Sequence, residues 1–247
     1  MNLAERARAA WRRLQWRELR ACLGPCPYCG PTLLLRLDRD ETGVRCIRCG
    51  ASAVHLSAGW ALAPWIRHLP AWHAYELSSR GPLVDALRRR CRHLTLSEFF
   101  EDVAPGTLRA GVRCEDVQRL SFPDACFDLV THTEVFEHVP DDAAGWRELW
   151  RVLRPGGVML FTVPISDAAQ TVERAVLRDG GIEHLLPPAW HSDRLRGTSR
   201  VLCFRDYGRD IVERVAAAGF TDVALSIPDP RVPWKAGRRV VTARKSA

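Results

Sequence analysis

Residues 126–164 read CFDLVTHTEVFEHVPDDAAGWRELWRVLRPGGVMLFTVP. The first eight form a strand-length apolar run and the last eight (157–164) form another, with a helical pattern over 141–153 between them. Pro140-Asp141-Asp142 opens that helix with groups suited to capping and to the positive end of its dipole, and the run LRPGG closes it. Strand, helix and strand in this order predict a parallel pair covered by its connecting helix.

The alternation continues on both sides. Further strands are expected at HAYEL (73–77), HLTLSE (93–98), GVRCED (111–116), TDVALSI (221–227) and RRVVTAR (238–244), with helices at 82–91 and 206–218, the last ending at Gly219. From about residue 70 the chain is therefore read as one α/β domain with a mostly parallel sheet. Ligands of such sheets collect beyond the carboxyl ends of the strands, near the switch in strand order. That places Glu76 to Gly81, Glu98 and Phe99, Glu115 and Asp116, and Thr133 to His138 among the binding candidates.

The 247 residues are 47% hydrophobic, enough for one large domain and a small appendage with a real core. No apolar run reaches the roughly 20 residues needed to cross a bilayer, and the first 20 residues lack the uninterrupted apolar stretch of a secretory signal. A soluble, cytoplasmic protein without a membrane partner is expected. The net charge of +7 is carried almost wholly by arginine, Lys235 and Lys245 being the lysines. These arginines are spread along the chain, although Arg88, Arg89, Arg90 and Arg92 cluster on a predicted helix. The charge admits an acidic partner such as RNA; DNA is not expected.

Nine cysteines in such a chain point to metal or buried thiols before disulfides. Cys26, Cys29, Cys46 and Cys49 form two C-x-x-C-G knuckles separated by 16 residues, the spacing of a four-thiolate zinc site. The intervening TLLLRLDRDETGVRC fits a hairpin turning at Asp40 to Gly43. The domain plan is an N-terminal helix (1–21), a zinc ribbon (22–55), a linker or helix (56–69) and the α/β domain (70–247), whose insertion at 165–205 is expected to cap the substrate.

With LSEFF, CEDVQRLSFPDACFDLVTHTEVFEHVPD and LWRVLRPGGVMLFTVP in this order, residues 70–245 resemble the class I S-adenosylmethionine-dependent methyltransferases. The resemblance implies a Rossmann-like sheet of seven strands and methylation of a small-molecule or saccharide acceptor at oxygen or nitrogen. It also implies that Glu98 holds the ribose hydroxyls of S-adenosylmethionine, that Asp116, with Glu115 and Val117 beside it, receives the adenine amino group, and that Phe99 stacks on the base. Thr133 closes the fourth strand of the cleft. The run YELSSRGPL (75–83) occupies the place of the family's glycine-rich first motif. Glu76 is retained there, Ser78 stands for the first glycine and Gly81 is one residue out of register, so the loop is a variant.

On the acceptor side, His138 and His191 are the candidate catalytic bases, with Asp193 orienting His191. Glu134 and Glu137 could join His138 around a divalent cation. Two other readings stay open: an RNA methyltransferase that grips its substrate with the ribbon, and a non-catalytic binding protein with a degenerate cofactor site.

Overall fold

The computed structural model describes residues 16–39, 43–191 and 200–247. Most of the N-terminal helix expected over 1–21 lies outside them, as do the tip of the 40–43 turn and Asp193. Arg20 and Ala21, expected to finish that helix, begin strand β1 (Arg20–Cys26), which pairs antiparallel with β2 (Gly30–Arg36); β2 pairs antiparallel with β3 (Val44–Cys46). The hairpin expected between the cysteine knuckles is β2 and β3. Gly30 and Gly50, one after each knuckle, have φ of +75° and +72°, the left-handed turn glycine admits at no steric cost.

Helix α1 (Ala53–Leu62) follows the second knuckle without a linker. It is apolar almost all round and buries seven of its ten residues, as a helix covered on more than one side must. The main sheet contains β4 (His73–Glu76), β5 (His93–Glu98), β6 (Leu108–Arg109), β7 (Val112–Cys114), β8 (Phe127–Thr133) and β9 (Leu153–Thr162). Between 172 and 206 lie the short strands β10 (Val172–Glu173), β11 (Ala175–Arg178), β12 (Gly181–His184), β13 (Trp190–His191), β14 (Val201–Leu202) and β15 (Arg205–Asp206), and the sheet is completed by β16 (Thr221–Leu225) and β17 (Val241–Arg244). Its order is β16-β17-β9-β8-β4-β5-β7-β6. The five strands β9-β8-β4-β5-β7 run parallel, β17 is antiparallel to β9, and β6 is an antiparallel edge.

The fold is Rossmann-like, with a mostly parallel central sheet. The seven expected strands are joined by an eighth, β6, too short to announce itself in the sequence. Period-2 alternation divides the apolar residues between two faces. Tyr75, Val130, Met159 and Phe161 meet α3 (Asp142–Val152) and α4 (Ile211–Ala216), whereas Ala74, Leu129, Val158 and Leu160 meet α1 and α2 (Pro82–Arg90). Asp141 caps α3 by accepting from the Ala144 N–H at 2.9 Å, as the Pro-Asp-Asp signature predicts.

Strand β9 begins at Leu153, four residues earlier than expected. LRPGG continues as extended chain because Phe127 pairs with Leu153 and Leu129 with Val158, and the register shift between these pairs absorbs the extra residues. The succession β4-β5-β7 runs one way from β4, and β8 returns on its other side. The switch point of the sheet is therefore the crevice between β4 and β8, with Glu76 and Thr133 at their carboxyl ends.

Candidate active site

Glu76 closes β4 and is 1% exposed. It is paired across the parallel ladder with Thr131, whose hydroxyl donates to Glu76 Oε2, while Ser78 Oγ donates to Oε1 at 2.7 Å. Burial pushes this carboxyl up to about 7. At the neighbouring strand end, Glu98 Oε1 accepts from both the main-chain N–H and the hydroxyl of Ser79, each at 2.8 Å. Ser79 was not singled out from sequence, yet it aims Glu98 at the first turn. Gly81, at φ +118°, then delivers the chain to Pro82, the first residue of α2. Each serine of the variant motif is thus tied to one acid.

The third acidic position divides its two residues. The Glu115 main-chain N–H bonds the Glu98 carbonyl at 3.0 Å, so these strand ends are adjacent. The Glu115 carboxylate itself is 3% exposed and engaged by Arg113 Nε at 2.6 Å, Ser121 Oγ at 2.5 Å and the Ser121 N–H at 2.9 Å. Asp116 is half-buried and forms an Asx turn, its Oδ1 accepting from the Gln118 N–H at 2.9 Å and Nε2 at 3.1 Å. Val117 points into the core among Leu77, Leu120 and Phe136. Phe99 is exposed immediately after β5.

On the far side of the crevice, Thr133 pairs with Thr162 and the chain turns sharply at Glu134, a non-glycine residue with φ +54°. Glu134 Oε2 accepts from Arg238 Nη2 at 2.9 Å, tying this turn to the segment before β17. A single 3₁₀ turn, Phe136–His138, follows. Its Glu137 is 1% exposed, and among the described residues neither carboxylate oxygen has a partner within ordinary hydrogen-bond geometry.

The two candidate histidines come together here although 53 positions separate them in the numbering. Their rings stand edge to face at 5.0 Å, and Cys203 joins them, with the ligand-type atoms of all three within 4.8 Å of one another. Glu137 Oε1 lies 3.7 Å from His138 Nε2 and 3.5 Å from His191 Nδ1. Burial opposes the charged form of His138, but Cys203, Glu137 and the Leu202 carbonyl outweigh it and its pKa rises. Cys203 and Glu137 push His191 up to about 10, and the two imidazoles bring the Cys203 thiol below its ordinary value despite burial. Cys203 was not among the residues singled out from sequence, since its spacing to the histidines matches no ligand pattern.

The cysteine module stands over the same end of the sheet. Tyr28, between two knuckle cysteines, packs against α1 and α2, and its hydroxyl donates to the His55 carbonyl at 2.5 Å. A Cβ at Gly81 would sit 3.6 Å from His55 Nε2, so the junction of the module with α1 abuts the first turn. Sequence reading had no signal for this contact. The Sγ atoms of Cys26, Cys29, Cys46 and Cys49 lie within 4.8 Å of one another.

The family profile described as methyltransferase domain matches residues 78–161, from the first turn through most of β9. The chain is 36% identical over 75 residues to 2-methyl-6-phytyl-1,4-hydroquinone methyltransferase of Synechocystis sp., covering 30% of this chain and 22% of that protein. It is 37% identical over 125 residues to demethylmenaquinone methyltransferase of Deinococcus radiodurans, covering 46% of each. The chain thus spans less than half the length of these curated relatives. Among solved structures, an S-adenosylmethionine-dependent methyltransferase from Mesorhizobium loti aligns at 16% identity and TM-score 0.46, over 75% of this chain and 98% of that one. The cysteine module and the 165–205 segment lie outside the residues that the profile matches.

Proposed function

We propose that this protein transfers a methyl group from S-adenosylmethionine to a small-molecule acceptor. The observation that carries the reading is the convergence of Glu76, Glu98 and Asp116 on adjoining strand ends beside the β4/β8 switch point, with Glu98 held toward the first turn by Ser79. A carboxylate at Glu98 suits a vicinal diol, which it can bind through two charge-assisted hydrogen bonds. Asp116 supplies an acceptor for an exocyclic amine, and exposed Phe99 offers a ring to the base. Ser78 and Gly81 bring the main chain close to the cofactor, and the acids suit a sulfonium cation.

The cofactor supplies an electrophilic methyl group; the chain's contribution is to hold the acceptor in line with it. The acceptor approaches from the β8 side, past Thr133, where His138 and His191 stand. The names of the relatives favour a small apolar acceptor such as a quinol over RNA or a saccharide. The four knuckle cysteines bind one zinc ion: their donor set is that of a closed structural site, and a module of three short strands has too little core to fold without it. The ribbon then roofs the first turn through Tyr28 and His55.

Calorimetric titration with S-adenosylmethionine tests the reading. Replacing Glu98 with Ala removes hydrogen bonds to a charged acceptor, and affinity is expected to fall about ten- to a hundredfold. Failure of the unaltered protein to bind the cofactor would overturn the proposal.

A further inference from the structure

Beyond the four-thiolate module, the same molecule brings together a second donor set of different character. Glu137 and His138 come from the 3₁₀ turn after β8, whereas His191 and Cys203 come from the insertion. Three hydrogen-bonded connections hold these pieces in register: Trp190 pairs with Leu202 and His191 with Val201 across β13 and β14, the Cys203 N–H bonds the Ala189 carbonyl at 2.9 Å, and the Phe204 N–H bonds the Glu137 carbonyl at 2.7 Å. The cluster is therefore fixed by main-chain geometry on both sides.

We infer that His138, His191 and Cys203 form the core of a second zinc site, with the Glu137 carboxylate beside both imidazoles, and that this site fastens the insertion to the switch-point turn.

Three observations support it. The first is the buried Glu137 carboxylate, which among the described residues has only the two imidazoles beyond ordinary hydrogen-bond distance to face it. A buried carboxylate without a well-made hydrogen bond is costly, and a cation bound between it and the imidazoles removes that cost. The second is the spacing. Oxygen-to-nitrogen distances of 3.7 and 3.5 Å are long for charge-assisted hydrogen bonds. They are close to the edge of a tetrahedron built on metal–ligand bonds of about 2.0–2.1 Å, which is roughly 3.4 Å. The third is the tautomer of His138. Its Nδ1 lies 2.8 Å from the Leu202 carbonyl, which can only accept, so Nδ1 carries the proton and Nε2 is left as a lone-pair donor facing Glu137. A ligating imidazole held by a main-chain carbonyl through its other nitrogen is a recurrent feature of zinc sites.

The donor set of two imidazoles and one thiolate, with a carboxylate beside them, suits zinc and disfavours magnesium and calcium, which take oxygen ligands. In this proposal His138 and His191 are ligands, in place of the proton acceptors expected from sequence. Loading displaces to solvent the protons held by the Cys203 thiol and by the imidazole nitrogens that take the metal, as the Zn–S and Zn–N bonds form, with no change of oxidation state. The site does not depend on the methyl-transfer reading, because its test measures metal alone.

The experiment is metal analysis of the full chain, purified with zinc and dialysed, beside the double variant H191N/C203S and the near-isosteric E137Q. The unaltered protein is expected to carry one more equivalent of zinc than H191N/C203S, whatever the knuckle cysteines hold. In a chelator competition, E137Q is expected to release that equivalent at least tenfold more readily. Cobalt substitution gives an independent readout. The C203S variant should lose about one fifth of the near-ultraviolet thiolate-to-cobalt intensity, the share of one thiolate among five. Equal zinc content in the unaltered protein and the double variant would overturn the inference. So would a Cys203 thiol that reacts with an alkylating reagent at the same rate with and without zinc.

Discussion

Glu76 is the side chain on which the variant first motif turns. Its carboxyl is buried beside the hydroxyls of Thr131 and Ser78, with Glu98, Tyr28 and Tyr75 among the titratable groups that sense it, and burial pushes its pKa from the ordinary 4.5 up to about 7. A raised folded-state pKa means that the native protein binds the proton more tightly than the unfolded chain. This contribution to stability is complete below about pH 4.5 and is lost as pH rises through about 7. The loss is on the order of 3 kcal/mol. In urea unfolding at a series of pH values, E76Q is expected to flatten the decline between pH 4.5 and 7; an unchanged slope would assign it to another group. Of these residues, Glu76, Ser78, Gly81 and Glu98 were legible in the sequence because a strand end followed by a glycine turn is a local pattern. Ser79 was not, because its importance lies in reaching a carboxylate on the next strand.

At the scale of elements, the 165–205 insertion is secured by Arg205. This side chain is 3% exposed and donates to the carbonyls of Phe136, Val139 and Pro140 at 3.1, 2.6 and 2.7 Å, with Glu173 Oε2 at 3.0 Å from its Nε. Asp142 and Arg214 extend the ion pairs, and Tyr207 donates to Asp142 Oδ2 at 3.0 Å. Truncating Arg205 to Ala takes the side-chain donor from the Val139 and Pro140 carbonyls and one of two arginines from Glu173, which keeps Arg214 Nη2 at 2.9 Å. A loss of about 3–5 kcal/mol is expected in chemical denaturation, and a change below 1 kcal/mol would show that the insertion is anchored elsewhere. The long strands and α2 and α3 were legible to within a few residues, since alternation and capping fix them locally. The start of β9 and the existence of β6 were not, because both depend on a partner strand's register. Helix α1 was read as linker or helix because an apolar segment buried on several sides has no amphipathic period to display.

At the scale of the whole molecule, the ribbon and the sheet are one packed body. The ribbon core of Leu34, Val44 and Leu56 is closed by Val232 from the segment before β17, and Arg231 lies over the Trp60 ring at 3.8 Å. Under the zinc-ribbon proposal, C26S/C49S is expected to lose amide protection across β1, β2 and β3 and to loosen the turn at 78–81. Strands β8 and β9 keep theirs, because their cores are complete without the module. Hydrogen exchange followed by mass spectrometry reads both regions, and unchanged protection in β1–β3 would dissociate the cysteines from the module's fold. The knuckle spacing announced four metal-type ligands from sequence alone. Where the module docks was not announced, since the decisive contacts join residues some 30 to 200 positions apart.

The position of Tyr28 has a consequence for biosynthesis. Its ring fits between α1 and α2, yet the ribosome makes it about fifty residues before α2 is available, so the nascent N-terminal segment presents an aromatic wedge without its slot. An N-terminal fragment ending after α1 should therefore be sticky when expressed alone, and should become tractable when co-produced with the remainder of the chain, which carries the missing wall.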